Sequence, residues 1–165
     1  MIFLDMDGVL CDFAKRAREW VEIDSENPDP NSLTDVYRAM SPNAFWDSLD
    51  EDFWSNMEFL DFGEELVELL WGGGFKFMIL SSPTDGRCLK GKYSWIKQHL
   101  GSRITGSRDF IFTPHKYLFA QRGRVLVDDH ESHIKKWNDN GGTGIHYTGQ
   151  SATEVFHQVK GYAWN

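Results

Sequence analysis

Apolar positions along the chain fall into short runs separated by longer stretches with helical spacing. Ile2 to Leu4 is apolar throughout and reads as a buried strand close to residue 1. FKFMIL (75–80) is a second run, DFIF (109–112) a third, RVLV (124–127) a fourth and GIHYT (144–148) a fifth. Helical spacing covers Cys11 to Trp20, Lys90 to Leu100 with Gly101 behind it, the DDHESHIKKWNDNGG stretch, and Ser151 to Lys160. From residue 75 onward strands and helices alternate. That pattern predicts an α/β fold with a doubly wound, parallel, five-stranded sheet.

The interval between the first two runs breaks the alternation. DSENPDPNSLTD (24–35) is polar and proline-bearing, which predicts a loop. Residues 36–71 have mostly helical spacing, with rings at Phe45, Trp46, Phe53, Trp54, Phe59 and Phe62, and GEELVELLWGGG is a helix with a glycine stop. This is too much chain for one crossover helix. It predicts a small helical cap inserted after the first strand, so that 1–13 and 75–165 form the core and 14–74 the cap. The glycines at 72–74 lack the Lys-Ser/Thr ending of a phosphate-binding loop and precede a strand, so they read as a turn.

Composition narrows the functional classes. A chain of 165 residues suits one domain with a small subdomain, and 41 % hydrophobic with 25 % charged residues is a globular balance. The net charge of −8 argues against binding long nucleic acids, which calls for a basic face. Such a protein can still bind a small anion if a metal ion or a few local cations attract it. Seven Trp and twelve Phe exceed what the core needs, so some rings are expected to line a pocket. Two cysteines, Cys11 and Cys88, make no disulfide framework and fit a reducing, cytoplasmic setting. No apolar run approaches the ~20 residues of a membrane span, and MIFLDMDG lacks the pattern of a signal peptide. No membrane partner is expected; a homodimer is left open.

In a parallel sheet the reactive crevice lies beyond the carboxyl ends of the strands. Asp5 and Asp7 follow the first strand, Ser81 and Ser82 the second, Lys116 the third, and Asp128 and Asp129 the fourth. Each has an ordinary reading as a turn former, helix cap or surface lysine. Together they place four carboxylates, two hydroxyls and an ammonium on one rim. Carboxylates so clustered repel one another, and a hard cation is the usual remedy. Strand alternation puts Asp5 and Asp7 on one side with Met6 opposite, and Gly8 lets the chain turn. Asp5 can then attack phosphorus as a nucleophile, while Asp7 protonates the leaving oxygen and later takes a proton from water. Mg²⁺ suits the oxygen ligands, and Ser81 or Ser82 with Lys116 can hold the non-bridging oxygens.

DMDGV, the serine of ILSSP, the lysine of PHKYLF and the acidic pair of VLVDD together resemble the four motifs of the haloacid dehalogenase superfamily of phosphotransferases. Within it, DMDGVLCDF and SSP are most similar to the 5'(3')-deoxyribonucleotidases. The resemblance implies Asp5 as nucleophile, Asp7 as acid/base with its backbone carbonyl on Mg²⁺, Ser81 and Lys116 as phosphate-holding groups, Ser82 as a further phosphate contact, and Asp129 as a metal ligand supported by Asp128. It also implies a helical cap, with Phe13, Phe45 and Trp46 as candidates to stack on a nucleobase. Ser81 stands where the family often has threonine, and the insertion is short. The activity expected is hydrolysis of a small phosphorylated substrate, a (deoxy)nucleoside monophosphate, with sugar phosphates or phosphorylated nucleic-acid ends as alternatives. A non-catalytic binding protein is the third reading; it has no need of Asp7 beside Asp5. His130 and His133, at i and i+3 without a third ligand nearby, read as exposed helix residues rather than a zinc site. Arg87, Lys90 and Lys92 offer charges that can help catch an anion but read first as a solvated helix face, and Cys11 reads as a buried thiol with no base to activate it.

Overall fold

In a computed structural model, residues 1–24, 32–101, 103 and 109–163 are described. The expected loop at 24–35 falls largely outside them. Five strands form one sheet: β1 (Ile2–Leu4), β2 (Phe77–Ser81), β3 (Phe110–Phe112), β4 (Val125–Asp128) and β5 (Thr143–His146). Their order is β3-β2-β1-β4-β5, and every pairing is parallel. The sheet is thus the doubly wound α/β arrangement the apolar runs predict, with β1 at its centre.

Strand alternation assigns the two faces. Ile2 and Leu4 join one apolar cluster, together with Leu66, Leu70, Ile96 and Val159. These come from α5 (Asp61–Gly72), α6 (Gly86–Leu100) and α8 (Ala152–Ala163). Phe3, between Ile2 and Leu4, points to the other face, where it meets Ile134 and Trp137 of α7 (Glu131–Asp139). A strand covered on both faces needs an unbroken apolar run, and the three residues of β1 are all buried.

Between β1 and β2 lie α1 (Phe13–Trp20), α2 (Thr34–Ala39), α3 (Pro42–Ser48), α4 (Glu51–Ser55) and then α5. Aromatic rings fill the space among α1, α3 and α4. Phe53 contacts Phe13, Trp20, Phe45 and Trp54, with ring centroids 5.0–6.3 Å apart. α5 packs on α8, whereas α4 packs on α6. That second contact depends on Gly91, because a Cβ there would fall 2.6 Å from the Glu51 carbonyl oxygen and closer still to Trp54 Cβ.

Candidate active site

Parallel pairing places all the strand ends on one rim. Asp5 follows β1, and its backbone N–H donates to the Val127 carbonyl at 2.9 Å, which sets Asp5 beside the end of β4. Asp128 closes β4 and Ser81 closes β2. Lys116 opens a 3-10 turn, Lys116–Phe119, after β3. Its buried ammonium bridges Asp5 Oδ1 at 2.6 Å and Asp128 Oδ2 at 2.7 Å. The carboxylates of β1 and β4 therefore meet around one cation supplied by the chain.

Asp7 pairs with another. Lys92 Nζ on α6 lies 2.5 Å from Asp7 Oδ2 and 2.8 Å from Ser81 Oγ. Lys92 is fully buried, which overturns its reading as part of a solvated face. Arg87 and Lys90 on the same helix are exposed, as expected. A signal for Lys92 was present: it shares a helix face with Cys88, Trp95 and Ile96, the buried stripe of α6.

Between Asp7 and the rest of the rim, Gly8 has a φ of +74°, and a Cβ there would collide with the Asp129 carboxylate. Glycine is thus required both for the turn and for the approach of Asp129 to the backbone of β1's end. A cavity of about 540 Å³ opens above, with Asp5, Asp7, Asp129, Lys116 and Ser82 on its floor. That volume is in the range of small-molecule sites. Ser82 donates its hydroxyl to the Thr113 carbonyl at 3.2 Å. Ser81 is fully buried beneath, its Oγ accepting from Lys92.

The aromatic candidates separate. Phe13 and Trp46 line the cavity and stack on each other, centroids 5.6 Å apart and planes 16° from parallel. Phe45 has no exposed surface and packs against Phe13, Tyr37 and Phe53. The expectation that Phe45 stacks on a base is therefore corrected: its ring is used up in packing the insertion. Sequence reasoning missed Trp54, His133 and Tyr147 on the cavity wall. His133 is no exposed helix residue; its Nδ1 lies 3.1 Å from both oxygens of Asp128.

Electrostatics divide the acidic pair. Burial acts to raise Asp128, but His133 and Lys116 more than offset it, and its carboxyl stays below the usual value. Its oxygens are taken by Lys116, His133 and the His130 N–H. Asp5, Asp128 and His133 each bring a ligand atom within 4.8 Å of one another, but the Lys116 ammonium already bonds both carboxylates of that group. Among the described residues no cation bonds the Asp129 carboxylate. Asp129 is exposed as a residue, yet partial loss of water at its carboxyl, then the like charges of Asp5, Asp128 and Asp7, push it up to about 7. Burial raises Asp5 to about 6, with Lys116 opposing and Asp128 and Asp7 adding. Four carboxylates against two ammoniums leave two negative charges, gathered toward Asp5, Asp7 and Asp129. Oxygen donors carrying that charge fit a divalent cation such as Mg²⁺.

These shifts have a measurable sign. Between the ordinary 3.8 and the raised values, the folded protein holds protons on Asp5 and Asp129 that the unfolded chain has lost. With EDTA present, this pair should make stability fall as pH rises from about 4 to about 7. Asp128, held low, adds an opposite slope only near its ordinary 3.8 and is ionised in both states above about pH 5. A divalent cation competes with the protons. Its gain in Tm should therefore be large at about pH 8 and shrink toward about pH 5. An equal gain at both would place the ion on other residues.

A parallel sheet with carboxylates, hydroxyls and an ammonium at its strand ends matches the expectation drawn from the resemblance to the haloacid dehalogenase superfamily. The chain resembles a Had-superfamily hydrolase from Ehrlichia chaffeensis at 15 % identity and TM-score 0.59, over 99 % of this chain and 97 % of that one. It resembles a HAD family hydrolase from Deinococcus radiodurans R1, with bound phosphate and sodium, at 16 % identity and TM-score 0.54, over 96 % and 86 %. The fold is therefore shared with these proteins. No curated protein matches the sequence. The sequence model of the family described as 5' nucleotidase, deoxy (pyrimidine), cytosolic type C protein matches residues 1–164, and the chain belongs to that family. It is a hydrolase of the phosphatase and nucleotidase kind.

Proposed function

We propose that the chain is a Mg²⁺-dependent phosphomonoesterase that hydrolyses a (deoxy)nucleoside monophosphate through an aspartyl-phosphate on Asp5. The observation that carries this reading is the joint presence of Asp5, Asp7, Asp129, Lys116 and Ser82 at the floor of one cavity whose wall includes Phe13 and Trp46. Asp5, fixed by Lys116, attacks phosphorus; the bond to the leaving oxygen breaks and Asp7 supplies that oxygen with a proton. In the second half Asp7 takes a proton from water, which attacks the phosphoryl group and restores the Asp5 carboxylate. Lys116 and the Ser81 hydroxyl hold the non-bridging oxygens, and Ser82, which lines the cavity, joins them once its hydroxyl leaves the Thr113 carbonyl.

Asp5, Asp129 and the Asp7 backbone carbonyl would hold the metal, with Asp128 as the buried anchor of Lys116. A bound Mg²⁺ supplies the positive charge that draws a phosphate dianion to an acidic site. Within the insertion at 14–74, α1 to α4 act as the cap, while α5 packs on α8 and the sheet as part of the core. Trp46 and Phe13 offer a stacking face for a base. Among the described residues no helix is long and apolar enough to cross a membrane. The family's cytosolic description supports a cytoplasmic setting.

The test is phosphate release from p-nitrophenyl phosphate with Mg²⁺ and with EDTA, followed by a panel of deoxy- and ribonucleotides. Activity should require Mg²⁺ and favour nucleotides. Equal activity in EDTA would remove the metal, and silence in both would favour a binding protein. Trp46→Ala should raise KM for nucleotides by about tenfold, the loss of one stacked base, and leave KM for p-nitrophenyl phosphate nearly unchanged. Equal changes would count against stacking.

A further inference from the structure

One buried charged side chain has no part in the chemistry above. Lys92 has no exposed surface. Its Nζ nevertheless reaches Asp7 Oδ2 at 2.5 Å, Ser81 Oγ at 2.8 Å and the Ser82 carbonyl oxygen at 3.5 Å. The Trp54 ring closes the side toward the insertion, its centroid 5.0 Å away. An ammonium is costly to bury unless it is paired and hydrogen-bonded, so this position is held by its partners.

The pairing constrains those partners in turn. Asp7 has a second contact in the weak Cys11 Sγ approach to Oδ1 at 3.8 Å. Lys92 fixes Oδ2 and so leaves Oδ1 as the oxygen free to exchange a proton. Ser81 accepts from Lys92, and a hydroxyl has one proton to give. Among the described contacts that proton is not committed to another acceptor. Gly91 makes the arrangement reachable: without a side chain there, α6 can close on α4 and bring Trp54 over the ammonium.

We propose that Lys92 is a positioning residue: it stays out of contact with the substrate and orients the two groups that act on it, Asp7 and Ser81. This rests on the acid/base reading of Asp7. A direct phosphate contact and a merely structural strut are the competing roles, and leaving-group dependence separates all three.

The experiment compares Lys92→Met, Asp7→Asn and the double variant on a nucleoside monophosphate, whose alkoxide leaving group needs a proton, and on p-nitrophenyl phosphate, whose leaving group departs unaided. Lys92→Met should lower kcat/KM on the nucleotide by about a hundredfold, the lower range of an acid–base contribution, and far less on the aryl phosphate. KM and inhibition by inorganic phosphate should hardly move. In an Asp7→Asn background the Lys92 change should cost far less, leaving only the smaller part that runs through Ser81. Lys92→Gln, which keeps a donor, should recover part of the loss; it carries the same comparison if Lys92→Met does not fold. Equal losses on both substrates, while Asp7→Asn remains selective, would overturn the proposal in favour of a strut. A large rise in KM and weaker inhibition by phosphate would overturn it in favour of direct contact. An Asp7→Asn protein that loses equally on both substrates would remove the acid/base role itself, and the Lys92 proposal with it.

Discussion

Asp5→Asn should abolish turnover, lowering kcat by about four orders of magnitude or more, as loss of a covalent nucleophile does. Asparagine has nearly the same shape and can still accept from Lys116, whose Nζ lies 2.6 Å from Asp5 Oδ1. It cannot form the acyl phosphate. The fold should survive, because Asp5 is raised to about 6 by burial and by its acidic neighbours. A neutral side chain relieves that repulsion. In EDTA at about pH 8, Asp5→Asn should melt no lower than the parent protein. Phosphate release and a thermal melt read the two effects on one preparation. A folded variant with near-normal rate would refute the nucleophile assignment.

Lys116→Met should damage both stability and rate. Its ammonium is 3 % exposed and joins Asp5 to Asp128, which are themselves buried. Removing one member of a buried ion-pair network leaves uncompensated charge and costs about 3 kcal/mol. For a domain of this size that corresponds to a fall in Tm of roughly 9 °C. The deficit should narrow as pH drops toward about 5, since the abandoned carboxylates can then take protons. The rate should fall by about a hundredfold or more, because the group that steadies the nucleophile and balances the phosphoryl oxygens is gone. Thermal melts across pH with EDTA, and kcat with Mg²⁺, measure these. A Tm unchanged at about pH 8 would mean that Lys116 does not hold the two strand ends together.

The sheet was legible because β1 is buried on both faces. Such a strand must be apolar throughout, and the DxDG turn that ends it stands out against the run. The candidate site's two other acidic positions, Asp128 and Asp129, were legible for the same reason, at the end of β4. Lys92 was harder to find. Charge is ordinarily read as exposure, and its place on the buried stripe of α6 has meaning only when Asp7 is known to face it. Phe45 and Trp46 show a complementary limit. Neighbours on a short helix, they differ by which side meets Phe53, and composition treats them alike. Lys116 was visible by its order in the chain, but its double contact with Asp5 and Asp128 depends on a 3-10 turn that no periodicity announces.

The most direct measurement is rapid acid quenching of the enzyme with a nucleoside monophosphate and Mg²⁺, followed by mass analysis of the N-terminal peptide. A single phosphoryl group on Asp5 is expected. It should be present transiently in the parent protein, persist longer in Asp7→Asn loaded with p-nitrophenyl phosphate, whose leaving group departs unaided, and be absent in Asp5→Asn. Full phosphate release with the peptide never modified, on a timescale that resolves the first turnover, would contradict covalent transfer through Asp5.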